Sequence, residues 1–207
     1  MASFIRNLVK KLKYGQEVVV VSGLPRSGTS MMMRMLEGGG LPIMTDRLRE
    51  ADDDNPKGYY EYERVKDLET ETDKSYVRQG RGRVLKVISF LLKDLPSSNF
   101  YRIVFMRRDI DEILASQNKM LVNRGEANEV EDARMKELYS QHLLKVKSMV
   151  RWLPNYEMLE VNYKAAIDDP RGVARQVNQF LGGRLDEAKM HEAVDRNLYR
   201  NRKEALT

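Results

Sequence analysis

The sequence of 207 residues contains no cysteine and only two histidines, His142 and His191. The lack of cysteine excludes disulfide bonds, thiol catalysis and cysteine-ligated metals, and two histidines so far apart are not expected to form a metal site. No apolar run approaches the ~20 residues that a membrane span requires. These absences predict a protein with neither a metal nor a transmembrane segment, and a soluble, reducing compartment such as the cytoplasm fits them best.

Charge of both signs is abundant, with 36 basic and 31 acidic residues and a net charge of +5. This mild excess suits a polyanionic small ligand as well as it suits nucleic acid. The motifs described below favour the small ligand, so we expect no nucleic-acid partner. The length is enough for one well-buried domain and short for two, and we predict a single domain over residues 1–207.

The first residues of the chain alternate between apolar and basic side chains. Between residues 2 and 14 the apolar ones recur at helical spacing, which predicts an N-terminal helix over residues 1–15. The segment is too charged to be a secretory signal. Two interpretations stay open: a helix that packs on its own domain, which we favour, and a weak contact with an anionic membrane surface.

Apolar segments that predict buried strands alternate with helical patterns along the chain. The strands are predicted at residues 17–22, 83–89, 101–106 and 157–161, and the helices at 29–36, 62–72, 110–121, 130–152 and 170–181. No connection resembles a hairpin, so the strands are expected to be parallel. The prediction is a three-layer α/β domain with a central parallel sheet of about five strands, helices on both faces, and a helical tail over residues 184–207.

A glycine-rich loop, residues 23–30, joins the first strand to the first helix. Strand, glycine-rich loop and helix form the arrangement that cradles phosphate, because backbone N–H groups and the helix N-terminus face the anion. Gly23 and Gly28 have the spacing of a nucleotide triphosphatase loop, but Thr29 stands where that loop has its lysine, and a cation appears instead at Arg26. No strand ends in an aspartate suited to Mg²⁺. The pattern predicts a site for one phosphate with a charged group beside it.

This loop resembles the 5′-phosphosulfate loop of sulfotransferases. Its Pro-Arg-Ser-Gly-Thr form is similar to that of tyrosylprotein sulfotransferases and many small bacterial sulfotransferases, and weaker matches extend the resemblance from about residue 17 to 183. The resemblance implies a P-loop-type fold and transfer of a sulfuryl group from 3′-phosphoadenosine 5′-phosphosulfate (PAPS) without a metal, which leaves 3′,5′-ADP (PAP). It assigns 5′-phosphosulfate binding to the loop residues Pro25, Arg26, Ser27, Gly28, Thr29 and Ser30.

A second anion site is predicted after the third strand. Arg107 and Arg108 follow that strand at its carboxyl end, where ligands of open parallel sheets bind, and Ser116 lies about two helical turns beyond Arg108. The segment from Arg108 to Ser116 resembles the family's 3′-phosphate segment, so the resemblance assigns 3′-phosphate binding to Arg108 and Ser116, with Arg107 as the weaker choice. The family's C-terminal Arg-Lys-Gly motif is missing. Two interpretations of Arg196, Arg200 and Arg202 stay open: they replace that motif, or they are exposed arginines of the helical tail.

Candidate catalytic groups follow from the charge that the reaction develops. Arg26 is the first choice to stabilise charge on the sulfuryl and phosphate oxygens, and Lys86, in a stretch similar to a strand of cytosolic sulfotransferases, is the second. Cytosolic members have a histidine as general base two residues after that lysine, where this chain has Ile88. Glu61 is our candidate for the base, with Asp46 as the alternative.

Three hypotheses for the function stay open. The first is an active PAPS-dependent sulfotransferase, the second a nucleotide kinase or other P-loop phosphotransferase, and the third a non-catalytic protein that binds PAPS or PAP. The acceptor is expected to be a small molecule, a sugar or a peptide. Residues 45–82, the least hydrophobic part of the chain, are predicted to form an insertion on the acceptor side of the site.

Overall fold

The computed structural model describes residues 9–46, 58, 60–126, 128 and 130–195. The predictions that concern residues 1–8, the middle of the insertion at 47–57 and 59, and the tail from residue 196 onward lie outside the described residues. Those predictions include the three tail arginines named above as substitutes for the missing motif.

A parallel sheet forms the centre of the molecule. Its strands are β1 (Val18–Gly23), β2 (Val84–Lys86), β3 (Tyr101–Arg107) and β4 (Tyr156–Asn162), in the order β2-β1-β3-β4. All neighbouring pairs are parallel. The residues of β1 are buried along its whole length, as an unbroken run of valines requires in a strand covered on both faces.

The prediction of about five strands was too high, because the sheet has four in the described part of the chain. On the outer edge of β2, Ile43 makes a single parallel bridge with Val84. The N–H of Val84 donates to the carbonyl of Pro42, and the N–H of Met44 donates to the carbonyl of Val84. Pairing stops after this one bridge, so the edge carries a bridge in place of a fifth strand.

Helices cover both faces of the sheet. They are α1 (Thr29–Gly38), α2 (Ile110–Arg124), α3 (Asp132–Trp152), α4 (Tyr163–Asp168), α5 (Pro170–Phe180) and α6 (Glu187–Glu192). Successive residues of β1 point to opposite faces. Val19 and Val21 pack with α1, α4, α5 and α6, whereas Val18 and Val20 pack with α2 and α3. The predicted three-layer α/β fold is confirmed.

Several element boundaries differ from the sequence-based predictions. The helix predicted at 62–72 is a short 3₁₀ segment, Glu63–Asp67, and a second one spans Ser75–Gly80. The strand predicted at 83–89 ends at Lys86, and a third 3₁₀ segment follows at Ser89–Asp94. The chain therefore turns away from the sheet soon after Lys86, which places residues 87–89 at the carboxyl edge.

Residues 9–14 are helical and lie against the domain. Lys10 Nζ is 2.6 Å from a carboxylate oxygen of Glu157 on β4 and 4.4 Å from the ring centroid of Phe100. Among the described residues, no helix has both the length and the apolar character needed to cross a membrane.

Candidate active site at the carboxyl edge of the sheet

The loop between β1 and α1 holds an unusual backbone conformation. Arg26 has φ 65° and Gly28 has φ 98°, both in the left-handed region. For a residue with a side chain this conformation costs on the order of 1–3 kcal/mol, and such strain is concentrated at ligand-binding loops. Gly28 is the N-cap of α1 and offers no side chain to the first N–H groups of the helix, which leaves those groups suited to an anion.

Close packing explains the two glycines of the loop. A Cβ atom at Gly28 would collide with the ring of Tyr163, and a Cβ at Gly23 would collide with Ser27 Oγ and the carbonyl of Met106. The loop is therefore clamped between the ends of β3 and β4. The spacing of these glycines has a steric cause in this fold.

Polar side-chain atoms in the loop and on the helix that follows it are buried without a hydrogen-bond partner among the described residues. Ser27 is 1% exposed, and its Oγ has no partner there; neither do Nε and Nη1 of Arg34, which lies on α1. Burial lowers the pKa of the Arg34 guanidinium, which lies near Tyr60, Asp195 and Tyr163. Buried polar atoms are normally paired, so these groups fit a ligand that brings acceptor oxygens.

The two anion sites predicted from the sequence are in contact. Arg26 Nε donates to Ser116 Oγ at 3.0 Å, and Arg108 Nη1 donates to the backbone carbonyl of Arg26 at 3.1 Å. Arg26 comes from the loop, whereas Arg108 and Ser116 come from the end of β3 and from α2. The fold brings the loop and the segment 108–116 into direct contact.

Arg108 is held by two residues that sequence reasoning missed. Its Nε is 2.9 Å from Oε2 of Glu112, and the two side chains are 8% and 6% exposed. The guanidinium carbon lies 4.7 Å from the ring centroid of Tyr163, whose phenol pKa is raised by burial. The i, i+4 spacing of Arg108 and Glu112 could have revealed the ion pair, but nothing in the sequence places Tyr163 under Arg108.

Lys86 and Glu61, both predicted as catalytic groups, are neighbours. Lys86 Nζ lies 3.3 Å from Oε1 of Glu61 and 3.4 Å from the hydroxyl of Ser30 at the start of α1. The Lys86 side chain is only 9% exposed. Lys66, which the sequence analysis did not single out, lies 3.2 Å from the other carboxylate oxygen of Glu61. Glu61 is therefore shared by two ammonium groups beside the loop.

Other candidates lie apart from this cluster. Asp46 accepts a hydrogen bond from the N–H of Glu63 at 2.6 Å and so caps a 3₁₀ segment, and Arg107 Nε lies 3.9 Å from Glu160. Ile88 is 38% exposed at the carboxyl edge. The structure thus brings together the loop, Arg108, Ser116, Lys86 and Glu61, and it does not bring Arg107 to them through any described contact.

Comparisons with known proteins bear on the family and the fold of the chain. The sequence profile of the sulfotransferase domain family matches residues 16–205. A search of curated protein sequences gave no significant match. Solved structures similar to this chain include the sulfotransferase from Alicyclobacillus acidocaldarius, with 16% identity over 84% of this chain and 85% of that chain and a TM-score of 0.50. The sulfotransferase domain from the curacin biosynthetic pathway has 15% identity over 87% of this chain and 79% of that chain, also with a TM-score of 0.50.

A further similar structure is retinol dehydratase in complex with androsterone and inactive cofactor PAP, with 18% identity over 94% of this chain and 69% of that chain and a TM-score of 0.48. At these identities the two likenesses with a TM-score of 0.50 show the fold, and the family profile shows the family.

Proposed function

The chain belongs to the sulfotransferase domain family, and we propose that it transfers a sulfuryl group from PAPS to a hydroxyl or amine acceptor, with PAP as the other product. The observation that carries the proposal is the contact between the two anion sites, Arg26 to Ser116 and Arg108 to Arg26. A nucleotide with phosphate groups at both its 3′ and 5′ positions requires two such sites on one surface.

The residues present fit this nucleotide. Ser27 Oγ and the Nε and Nη1 atoms of Arg34 are buried donors without a partner in the described part of the chain, and phosphate oxygens would supply acceptors for them. We assign the loop residues 25–30 to the 5′-phosphosulfate, and Arg108 and Ser116 to the 3′-phosphate. Arg34 is an additional candidate contact of the nucleotide.

Glu112 and Tyr163 prepare Arg108 for this role. The ion pair to Glu112 and the ring of Tyr163 fix the guanidinium plane before the ligand arrives. A donor that is already oriented loses little conformational entropy on binding, which favours tight and selective recognition of the 3′-phosphate.

We assign to Arg26 and Lys86 the stabilisation of negative charge during transfer. PAPS supplies the sulfuryl group and a phosphate leaving group, and negative charge shifts toward the bridging oxygen as the sulfur–oxygen bond breaks. Arg26 offers a fixed fork of donors that stays protonated, and Lys86, nearly buried beside Ser30, is an ammonium close to the same loop. Preorganised cations in a partly water-free site are an effective source of such stabilisation.

Glu61 belongs to the acceptor side of this proposal. Its carboxylate lies against Lys86 and Lys66, so it is in position to fix Lys86, and it remains our sequence-based candidate for the general base. Residues 45–82, to which Glu61 belongs, are proposed to shape the acceptor pocket for a small molecule, a sugar or a peptide.

The direct test is transfer of labelled sulfate from PAPS to a panel of phenols, alcohols, sugars, amines and tyrosine-containing peptides, in the presence of EDTA. We expect transfer to at least one class together with release of PAP. Binding of PAP without turnover across the panel would contradict catalysis and favour a binding protein. Thermal protection by ATP with Mg²⁺ but not by PAP would favour a nucleotide phosphotransferase.

A further inference from the structure

Among the described residues, two that carry a side chain have a left-handed backbone: Arg26 of the loop, with φ 65°, and Tyr60, with φ 55°. This conformation is costly for tyrosine because its Cβ crowds the following carbonyl, and it persists only where surrounding contacts hold it. Tyr60 lies directly before Glu61 in the chain. The strain at Tyr60 therefore points to a role in the placement of Glu61.

The side chain of Tyr60 is fastened to α1. Its hydroxyl is hydrogen-bonded to the side chain of Glu37 on α1, and the guanidinium of Arg34 on the same helix lies nearby. Burial, and then the carboxylate of Glu37, raise the pKa of Tyr60 to about 12, so the phenol is protonated at neutral pH and donates to that carboxylate. The ring packs against the apolar cluster on this face of the sheet.

The residue that follows Tyr60 is fixed at both its backbone and its side chain. Thr45 Oγ1 donates to the backbone carbonyl of Glu61 at 2.7 Å. Oε1 of Glu61 lies 3.3 Å from Nζ of Lys86, and the same Nζ lies 3.4 Å from the hydroxyl of Ser30 at the start of α1. Tyr60 contacts α1 directly, and Glu61 is connected to α1 through Lys86.

The two connections reach the same face of α1. Ser30 and Glu37 are seven residues apart, which is about two helical turns and a rise of about 10 Å. In an extended chain, successive side chains point to opposite sides. Tyr60 and Glu61 can therefore both be directed toward one helix face only if the chain turns between them, and the left-handed backbone of Tyr60 supplies that turn.

We propose that Tyr60 is a positioning residue, whose hydrogen bond to Glu37 and left-handed backbone hold the carboxylate of Glu61 against Lys86. The inference rests on the proposed sulfotransferase function, in which Lys86 stabilises negative charge during transfer. An ammonium group on a flexible four-carbon stem does this effectively only where it is held in place. Glu61 provides that restraint for Lys86, and Tyr60 acts through Glu61 without contacting the reacting atoms.

The kinetic test measures sulfate transfer from PAPS to the acceptor that the wild type uses best in the panel above, and PAP affinity by calorimetry. We expect Tyr60→Ala to lower kcat about tenfold, the order of loss expected for removal of the Lys86 ammonium, with PAP affinity unchanged. Tyr14→Ala is the matched control, because Tyr14 is also partly buried but precedes β1 at the opposite edge of the sheet. An unchanged kcat in Tyr60→Ala would overturn the inference.

A double-mutant cycle separates positioning from a general loss of structure. In the Glu61→Gln background the side chain no longer carries the charge that holds Lys86, so Tyr60→Ala is expected to lower kcat no further. A residue that only supports the fold would lower kcat by the same factor in both backgrounds, and this additive result would contradict the proposal.

Glu37→Ala tests the anchor without any change in Tyr60. Glu37 is exposed on α1, so the variant should fold even if Tyr60→Ala does not. We expect kcat to fall in the same direction as in Tyr60→Ala, while the midpoint of denaturant unfolding stays close to that of the wild type. Full kcat in Glu37→Ala would show that the hydrogen bond to Tyr60 has no positioning role.

A structural readout makes the test independent of turnover. Crystal structures of the wild type and of Tyr60→Ala would give the distance between Lys86 Nζ and Glu61 Oε1, which is 3.3 Å here and is expected to exceed about 4 Å in the variant. An intact ion pair in Tyr60→Ala would refute the inference. Absence of PAP binding and of transfer by the wild type would contradict the proposed function itself, whereas an active wild type with an unaffected Tyr60→Ala contradicts only this inference.

Discussion

The two sides of the candidate site are assembled in different ways. The donor side, residues 23–30 with the segment 108–116, consists of two short continuous stretches in which backbone conformation and local spacing set the chemistry. The acceptor side, which comprises Glu61, Lys66 and Lys86, consists of side chains that meet only through tertiary packing, such as the contact between Lys86 and Glu61. The donor side can therefore be identified from local sequence, whereas on the acceptor side the sequence suggested Lys86 and Glu61 singly and did not predict their contact.

Substitutions on the donor side and on the acceptor side are expected to affect different measured quantities. Changes on the donor side should alter nucleotide affinity or the stability of the loop, because those residues are packed into the core of the site. Changes on the acceptor side should alter kcat and its pH dependence while nucleotide affinity stays constant. Arg26 is the expected exception, since it is a donor-side residue that also stabilises the transferred charge.

The largest effect is expected at Arg108. Arg108→Ala would remove the buried ion pair of Arg108 with Glu112, which costs about 3–5 kcal/mol of unfolding free energy, and preference for PAP over 5′-AMP should disappear. Denaturant unfolding and calorimetry measure the two effects. The double variant Arg108→Met with Glu112→Met should regain stability but not PAP binding. Recovery of both would remove Arg108 from the 3′-phosphate site.

Arg26→Ala tests whether this donor-side residue also stabilises the charge that develops during transfer. We expect kcat for sulfate transfer to fall about 10²–10³-fold, as for loss of a preorganised transition-state donor, with the fold retained, because the left-handed backbone at Arg26 does not require the side chain. Arg175→Ala, at a side chain that is 75% exposed, is the control. Full activity of Arg26→Ala would exclude Arg26 from the mechanism.

Gly28→Ala sharpens the comparison by separating backbone strain from packing. Gly28 and Gly125 both have positive φ, but only at Gly28 does an added Cβ collide with a neighbour, the ring of Tyr163. Both alanine variants should lose about 1–3 kcal/mol from strain, and Gly28→Ala should lose more and bind PAP more weakly. Equal losses of stability and unchanged PAP affinity in the two variants would show that the clamp on the loop has no role.

The smallest effects are expected at the two lysines around Glu61. Lys86→Met should lower kcat at least about tenfold, since a nearly buried cation beside the loop is removed, with PAP affinity nearly constant. Lys66 is 51% exposed, and an exposed ion pair contributes about 0–1 kcal/mol, so Lys66→Met should change kcat and stability little. Steady-state kinetics of both variants provide the measurement. A larger fall of kcat in Lys66→Met than in Lys86→Met would refute the role of Lys86 in charge stabilisation.

The sequence alone predicted most of the fold, and it identified the loop and the segment 108–116 as candidate anion sites. The valine run of β1, the alternation of strands and helices, and the loop from Gly23 to Ser30 were readable because each depends on residues close together in the chain. Glu112 was also readable from its spacing to Arg108, although it was overlooked.

The remaining features depend on packing between distant segments. Tyr163 lies under Arg108 because the ends of β3 and β4 are neighbours in the sheet, and His142 meets Ser89 because α3 folds back over the end of β2. Short 3₁₀ segments after Glu61 stand where a helix was predicted. The outer edge of β2 carries a single bridge at Ile43 in place of a strand. Local propensity does not determine any of these contacts.

The central claim is that the loop and the segment 108–116 form one metal-independent site for a nucleotide with both 3′ and 5′ phosphates. Calorimetric titration of the folded chain with 3′,5′-ADP and with 5′-AMP, both in EDTA, tests it most directly. The account predicts binding of 3′,5′-ADP at one site, with clearly weaker binding of 5′-AMP and loss of that difference in Ser116→Ala. Absence of binding, or equal affinity for the two nucleotides in the wild type, would contradict it.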